Sequence, residues 1–250
     1  MDKNKQSLVR MAEEEKRLAM DDNTTWEERG KHFLKSSQLY KEAGKYREYC
    51  HMLGWFHFMT FSVDVKQDRE IHLMDALKAL RNSGHKNEYL SIKGVYLDTL
   101  AEKQKDLKKK ANLYKKASIE YSKVKRGTPE DEIEEGDLYT QSQKDMHISM
   151  AKHYEIVLKI LANKRSKNRE LIIDLFRKCA DEYKLVGDQN RSNIMMGIHF
   201  SEVAATMPPV IDRLIALKKA EQFCSKTDKE VIPDVNSGHE ALSHAATCLA

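Results

Sequence analysis

Apolar and small residues recur along the chain in a frame about 40 residues long. Two copies of this frame begin at Phe33 and Phe176 and carry a tyrosine and two glycines at matching positions. The matching residues are Tyr40 and Tyr183, Gly44 and Gly187, and Gly54 and Gly197. Fainter copies begin near residues 73, 114 and 216, so successive starts are separated by 40, 41, 62 and 40 residues. A period of this length is typical of stacked helical hairpins.

Each copy has the periodicity of two helices joined by a short turn. In the copy that begins at Phe176, apolar residues between Ile172 and Tyr183 recur at three- and four-residue steps, on one helix face. A glycine follows, at a helix C-terminus that favours the left-handed conformation. A second glycine recurs inside the second helix, where it costs about 1 kcal/mol relative to Ala and therefore predicts close helix–helix approach. The turn glycines are Gly44, Gly84 and Gly187, and the helix glycines are Gly54, Gly94 and Gly197.

Helix-start signals lie outside the repeated positions. Residues 3–20 predict an N-terminal helix, and Thr25 with Glu28 predicts a capping box ahead of the first hairpin. Thr128 followed by Pro129 predicts another start, because proline is favoured at the first position of a helix. The predicted helices therefore extend beyond the repeated frame.

The 62-residue spacing is the irregular part of the array. It contains the acidic segment 127–137 and then a helical pattern to about Lys164, which predicts either an unusually long second helix or a short helix followed by a long one. Its apolar content is too high for a disordered linker. We therefore predict one helical-repeat domain over residues 1–250. The alternative is a division at the acidic segment into lobes 1–126 and 138–250.

The first copy resembles tetratricopeptide-like repeats in its sequence SSQLYKEAGKYREYCHMLGWF, residues 36–56. Its order of small, aromatic and glycine positions is most similar to the 40-residue variant in soluble NSF attachment proteins. It departs from the standard repeat by placing Tyr49 or Cys50 at a position usually held by a small residue. The resemblance covers most of residues 25–245. It implies an all-α fold: a right-handed superhelical array, or α-solenoid, of about five antiparallel helical hairpins.

Composition agrees with a helix-rich soluble protein, since 40% of the residues are hydrophobic and 33% are charged, with 10 Gly and 4 Pro. The longest apolar stretch, residues 52–63, is shorter than the roughly 20 residues that a membrane-spanning helix needs, and it predicts a buried core helix. The first 20 residues lack the pattern of a signal peptide. The separated cysteines predict free thiols in a reducing compartment, so we expect a cytoplasmic location. They are Cys50, Cys179, Cys224 and Cys248.

No group of residues in the sequence predicts catalysis, a cofactor or a metal site. The closest of the ten histidines are five or six residues apart, whereas a zinc-binding helix places two histidines four apart. No glycine-rich phosphate loop and no GxSxG motif occurs. Cys50 and His51 are adjacent, and neighbouring residues on a helix point in different directions. We therefore predict a protein that is not an enzyme, with its histidines in the core or on the surface.

The basic segment 103–126 is the sharpest electrostatic feature of a chain whose net charge is only +4. We expect its lysines around a helix whose Tyr114 and Tyr121 face the core. The candidate partner-binding residues are Lys108, Lys109, Lys110, Lys115 and Lys116. A solvated face is the simplest interpretation, and attraction to an acidic protein, an anionic membrane surface or RNA is the alternative. The acidic segment 127–137 is a second candidate, for a cation or a basic partner.

Three functions are compatible with these features, and all three are non-enzymatic. The leading prediction is a protein–protein interaction adaptor that binds a partner protein on a rigid helical-repeat surface. The second is a membrane-trafficking adaptor similar to soluble NSF attachment proteins, which recognises acidic helical partners through residues 103–126 and contacts anionic membrane peripherally. The third is RNA binding by the same segment, which is less favoured because its tyrosines are explained by the core.

Overall fold

A computed structural model describes residues 3–64, 69–126, 132–164, 168–207 and 211–227. Over these ranges the chain forms ten α-helices and no β-strand, so the predicted all-α class is confirmed. The helices are α1 (Lys3–Ala19), α2 (Trp26–Glu42), α3 (Tyr46–Val63), α4 (Glu70–Ser83), α5 (Lys86–Lys103), α6 (Leu107–Ser122), α7 (Glu132–Asn163), α8 (Arg169–Leu185), α9 (Gln189–Thr206) and α10 (Ile211–Cys224). The predicted N-terminal helix corresponds to α1, and the predicted long helix corresponds to α7, which has 32 residues.

Side-chain caps define the starts of α2, α8 and α9. Thr25 forms the predicted capping box, because its hydroxyl accepts a hydrogen bond from the Glu28 N–H while its own N–H donates to the Glu28 carboxylate. Asn168 and Asp188 each accept a hydrogen bond from a backbone N–H three residues later, at 3.1 and 3.0 Å. Such caps are worth about 0.5–2 kcal/mol each. The helix start predicted at residues 128–129 lies outside the described residues.

Glycines in the left-handed conformation close the turns after α2, α4 and α8. Their φ angles are 75° at Gly44, 81° at Gly84 and 81° at Gly187. A residue with a Cβ atom is strained at these angles, whereas glycine is not. The three turns predicted from the repeated frame are therefore confirmed, and each one reverses the chain between two helices that pack together.

Replacing Gly187 with alanine isolates the backbone strain of one such turn. A Cβ atom at this position has no heavy atom within 4 Å, so the left-handed φ is the only source of strain. We expect a loss of about 1–2 kcal/mol in the free energy of unfolding. Urea denaturation measures it. Gly30→Ala in α2 is the matched control: its Cβ would make an ordinary 3.5 Å contact, so it should stabilise by about 1 kcal/mol. Equal effects of the two substitutions would contradict the assignment.

The helix glycines lie where two helices meet at short distance, as the sequence predicts. A Cβ atom built on Gly54 would lie 2.7 Å from Leu80 Cγ, and one on Gly197 would lie 2.5 Å from Cys224 Sγ. Gly94 likewise faces the ring of Tyr121, with its Cβ position 2.5 Å from Cζ. In each case, the glycine of one helix pair receives a side chain from the first helix of the next pair along the chain.

The tyrosines of the frame share a second interaction, which no sequence pattern predicts. Each is almost fully buried, and each hydroxyl donates to a carboxylate on the preceding helix. The pairs are Tyr40 with Glu13, Tyr121 with Asp98 at 3.2 Å, and Tyr183 with Glu155 at 2.8 Å. Burial and the neighbouring carboxylate raise the pKa of Tyr40 and of Tyr183, so both keep their protons.

Two compact units divide the chain, and the first comprises Met1–Leu100 and Ile119–Ser142. One part of its core lies between α1, α2 and α3, and another lies between α3, α4 and α5. The buried residues are Ala12, Ala19, Phe33, Tyr40, Met52 and Met59 in the former, and Phe61, Leu73, Ala76, Leu80 and Ile92 in the latter. The apolar stretch predicted as a core helix lies in α3 and supplies residues to both parts.

The second unit comprises Ala101–Ser118 and Gln143–Ala250. Its core joins residues from α5, α6 and α7 in one part and from α7, α8 and α9 in another. The buried residues are Ala101, Ala111, Tyr114 and Ile156 in the former, and Ala151, Cys179, Ala180, Tyr183 and Met195 in the latter. The division into lobes at the acidic segment stays a prediction, because residues 127–131 lie outside the described ranges.

In the described part of the chain, no helix contains an apolar stretch long enough to cross a membrane. The most apolar candidate, α3, directs Met52, Met59 and Phe61 into the core of the first unit. Its hydrophobicity is therefore accounted for by packing against α2 and α4.

Candidate functional site

The basic segment forms α6, and its lysines separate into two groups. Lys108, Lys109, Lys115 and Lys116 are exposed, whereas Lys110 is half-buried. At 100° per residue the four exposed lysines fall within about 120° of the helix circumference, and Lys110 falls near the opposite side. We call the four exposed residues the lysine face. Four of the five predicted residues therefore lie together, and the fifth does not.

Packing on the other side of α6 fixes the direction of the lysine face. Ala111, Tyr114 and Ala117 are almost fully buried, as the predicted core position of Tyr114 requires. Asp106 begins the helix by accepting a hydrogen bond from the Lys109 N–H at 3.0 Å, and this bond lowers the pKa of the Asp106 carboxyl. The helix can rotate little about its axis, so the lysine face is held towards solvent.

The Asp106 carboxylate acts electrostatically on the lysine face, since the charges of Lys109 and Lys108 contribute to its lowered pKa. Lys152 on α7 pairs with Glu102 at 3.2 Å, and its ammonium lies 5.3 Å from the ring centroid of Tyr114. None of the four face lysines forms an ion pair with a described residue. The side chains of the acidic segment 127–137 do not belong to the described part of the structure. The second candidate site, for a cation or a basic partner, therefore stays a prediction.

A second concentration of polar groups lies in the first unit, between α3 and the start of α5. His51, His85 and Glu88 each direct a nitrogen or oxygen atom to one place, and these atoms lie within 4.8 Å of one another. The two imidazole rings are stacked, with centroids 3.6 Å apart and planes inclined by 14°. We call these three residues the His–Glu cluster. Among the described residues, no other His, Cys, Asp or Glu side chains converge in a group of three.

Two groups compete for one nitrogen of His51. The Trp55 indole N–H lies 3.1 Å from His51 Nε2 and could donate to it, whereas Glu88 Oε1 lies 2.9 Å from the same atom and could only accept from it. The Ser83 hydroxyl donates to the Leu80 carbonyl at 2.8 Å and so accepts from His85 Nδ1–H at 3.1 Å. His85 Nε2 is therefore the unprotonated nitrogen of that ring.

The carboxylate of Glu88 lies against the His51 ring and completes the cluster. Its oxygens lie 2.9 and 2.7 Å from His51 Nε2. The nearer oxygen, Oε2, is buried and forms no hydrogen bond with the described part of the chain, since the hydrogen bond to the ring is formed by Oε1. Burial lowers the pKa of His85, and His51, Arg47 and Lys16 act in the same direction, whereas the Glu88 carboxylate opposes them. His85 is therefore a neutral imidazole at neutral pH.

Another histidine pair, His57 and His72, lies further along α3 and on α4. Their rings are stacked at 6.1 Å, and His72 Nε2 lies 3.6 Å from Asp64 Oδ2. The Nδ1 atoms of both rings are buried and lack hydrogen-bond partners among the described residues. Burial lowers the pKa of His57. No third ligand converges on the two rings within the part of the chain that the structure describes, and both rings are half-buried against each other.

Sequence reasoning singled out the lysines but not the His–Glu cluster. The cluster joins one residue of α3 to two residues around the turn at Gly84, and neither helix alone carries a ligand pair at metal-binding spacing. The only available signal was the position of His85 and Glu88 immediately after a turn glycine. No protein-family model matches the chain, and a comparison with curated proteins finds no significant match.

Proposed function

We propose that this protein is a non-enzymatic adaptor that binds an acidic segment of a partner protein through the lysine face of α6. The observation that carries the proposal is the presence of four exposed lysines on one side of a packed helix, none of them in an ion pair with a described residue. Like charges at this density repel one another, and an acidic partner relieves that repulsion. A rigid helix also presents them without a large loss of conformational entropy.

The proposed architecture is a right-handed superhelical array of about five helical hairpins, similar to tetratricopeptide and soluble NSF attachment protein repeats. Three repeated features support it: the turn glycines, the glycines at helix contacts, and the tyrosine–carboxylate pairs. Arrays of this kind use an extended surface to hold elongated or helical partners. Placement of the protein in the cytoplasm is part of the same proposal.

Reversing the charge of the lysine face should abolish capture of the partner. The test variant carries Lys108→Glu, Lys109→Glu, Lys115→Glu and Lys116→Glu. The matched control carries the same four reversals at exposed lysines dispersed over other helices, namely Lys5, Lys86, Lys184 and Lys218. Affinity purification from extracts of the source organism, with quantitative mass spectrometry, should show proteins that are retained by the wild type and the control and lost by the test variant.

Binding of the identified partner then gives the decisive measurement. Electrostatic attraction raises association rates by about 10-fold or more and is screened by salt, since the Debye length is only about 8 Å at 0.15 M. We expect the association rate to fall by at least that factor in the test variant and with added salt. The proposal is wrong if both variants bind equally. It is also wrong if only anionic vesicles or RNA, but no protein, distinguish the test variant from its control.

A further inference from the structure

We propose that the lysine face binds an extended rather than a helical segment, in which two pairs of acidic residues flank one central residue. This inference rests on the proposed function and names the kind of acidic segment that the face takes. It depends on a further residue of α6, Asn112, which is exposed and lies among the four lysines. The Asn112 carboxamide forms no hydrogen bond with any residue in the described part of the chain.

Asn112 lies at the centre of the lysine face. Lys108 and Lys109 come one turn before it, and Lys115 and Lys116 come one turn after it. At 1.5 Å and 100° per residue, the two lysine pairs are separated by about 10.5 Å along the helix axis. Asn112 lies midway between them, both along the axis and around it. The face is therefore a rectangle with a positive charge near each corner and an uncharged amide in the middle.

The spacing of the lysine pairs matches an extended segment of five residues. A β-strand rises about 3.4 Å per residue, so two acidic pairs that flank one residue have centres about 10 Å apart. Successive side chains of a strand point to opposite sides, so each acidic pair directs one carboxylate to either edge of the lysine face. The flexible stems of the lysines accommodate the remaining offsets. The expected motif is two acids, any residue, and two acids.

The carboxamide of Asn112 is placed to bind the backbone of such a segment. When the acidic side chains extend sideways to the lysines, the N–H and C=O groups of the central residue both point towards α6. A carboxamide accepts through its oxygen and donates through its nitrogen, so it satisfies both groups together. A helical partner uses these backbone groups internally, except at its ends. Asn112 therefore favours an extended ligand over a helical one.

Asp106 opposes binding at one end of the lysine face. Its carboxylate lies at the start of α6, and the charges of Lys109 and Lys108 act on it. An acidic ligand therefore competes with Asp106 at the first lysine pair. Neither Lys115 nor Lys116 forms an ion pair with a described acid. Four positive charges against one acid leave the face electropositive.

Fluorescence polarisation with labelled synthetic peptides and the full chain tests the inference. The matched peptide contains Glu-Glu-Ala-Glu-Glu between prolines, which favour an extended backbone, and it is capped at both ends. One comparison peptide has the same composition but places its four glutamates consecutively. Another carries four glutamates at seven-residue spacing on a stable helix. We expect the matched peptide to bind about 2–10-fold more tightly than either, because only its backbone can pair with Asn112.

Methylation of the central peptide nitrogen removes the N–H group that Asn112 is inferred to bind. It should weaken binding of the matched peptide to the wild type by about 2–10-fold. Against Asn112→Ala the same methylation should cost little more, because groups in contact have coupled effects. Asn82→Ala, which removes an exposed asparagine near the end of α4, is the matched control and should bind both peptides as the wild type does. Circular dichroism verifies the fold of both variants.

The outcomes separate this inference from the adaptor function on which it rests. The inference is overturned if no peptide binds, or if the helical or consecutive peptide binds as tightly as the matched one. It is also overturned if methylation costs the same with Asn112→Ala as with the wild type. In each of these cases the adaptor function stands as long as the four-lysine reversal still abolishes capture of the partner. The adaptor function itself fails if that reversal leaves both the captured partner and the acidic peptides bound.

Discussion

Replacing Leu80 with alanine is expected to lower the free energy of unfolding by about 2–5 kcal/mol. Leu80 is completely buried in the part of the core formed by α3, α4 and α5. Its loss removes apolar contacts and leaves a cavity that rigid helices fill only in part. Denaturation by urea, followed by circular dichroism, measures the change. Met74→Ala, an exposed position on the same helix, is the control and should change stability by about 0.5 kcal/mol or less.

A second substitution at the contact partner of Leu80 makes this test sharper. In the wild type, Gly54→Ala should destabilise, because its Cβ would lie 2.7 Å from Leu80 Cγ. In the Leu80→Ala background the obstacle is gone, and the same change should stabilise α3 by up to about 1 kcal/mol through helix propensity. A reversal of sign of this kind arises only between residues in contact. Additive effects would mean that Gly54 does not pack against Leu80.

Gly94→Ala is expected to cost about 1–3 kcal/mol, although alanine is the better helix former. The added methyl group would lie 2.5 Å from Cζ of Tyr121. The ring has little freedom to move, because it is 2% exposed and its hydroxyl is bonded to Asp98. Overpacking therefore outweighs the gain in helix propensity.

Thermal unfolding of Gly94→Ala, Tyr121→Leu and the double variant separates the two contributions. Tyr121→Leu is destabilising by itself, but Gly94→Ala should cost less in that background than in the wild type, because leucine leaves room for the methyl group. Stabilisation of the wild-type chain by Gly94→Ala would contradict the close contact between α5 and α6. An equal cost of Gly94→Ala in the two backgrounds would point to a different cause for the loss.

The repeated frame allowed much of the local fold to be predicted from sequence. Glycines at left-handed turns and at close helix contacts can be recognised in the sequence, because no other residue fits as well at position 187 or position 54. The apolar periodicity up to Lys164 predicts a long helix here, although it does not decide between one long helix and a short helix followed by a long one; the structure has the single helix α7. These features are local, or recur at fixed spacing, and a single chain is enough to detect them.

The candidate sites were less predictable because they depend on how helices meet. Lys110 was grouped with its neighbours, yet one residue corresponds to 100° of rotation, which directs it away from Lys109 and towards the core. The His–Glu cluster brings His51 beside Glu88 across two helices. The spacing of these residues along the chain does not indicate that their side chains are in contact.

The tyrosine–carboxylate pairs have a consequence for how such a chain can be rebuilt by duplication or grafting. Tyr183 is buried, and its hydroxyl depends on an acid that α7 supplies, just as Tyr121 depends on Asp98 of α5. In a hairpin moved beside a foreign neighbour, the buried tyrosine hydroxyl would lack a hydrogen-bond acceptor, at a cost of about 1–3 kcal/mol. The cost would be avoided only if the new neighbour carried an acidic residue at the equivalent position. The three hairpins that carry such a tyrosine are therefore not freely interchangeable, because each one requires an acid on the helix that precedes it.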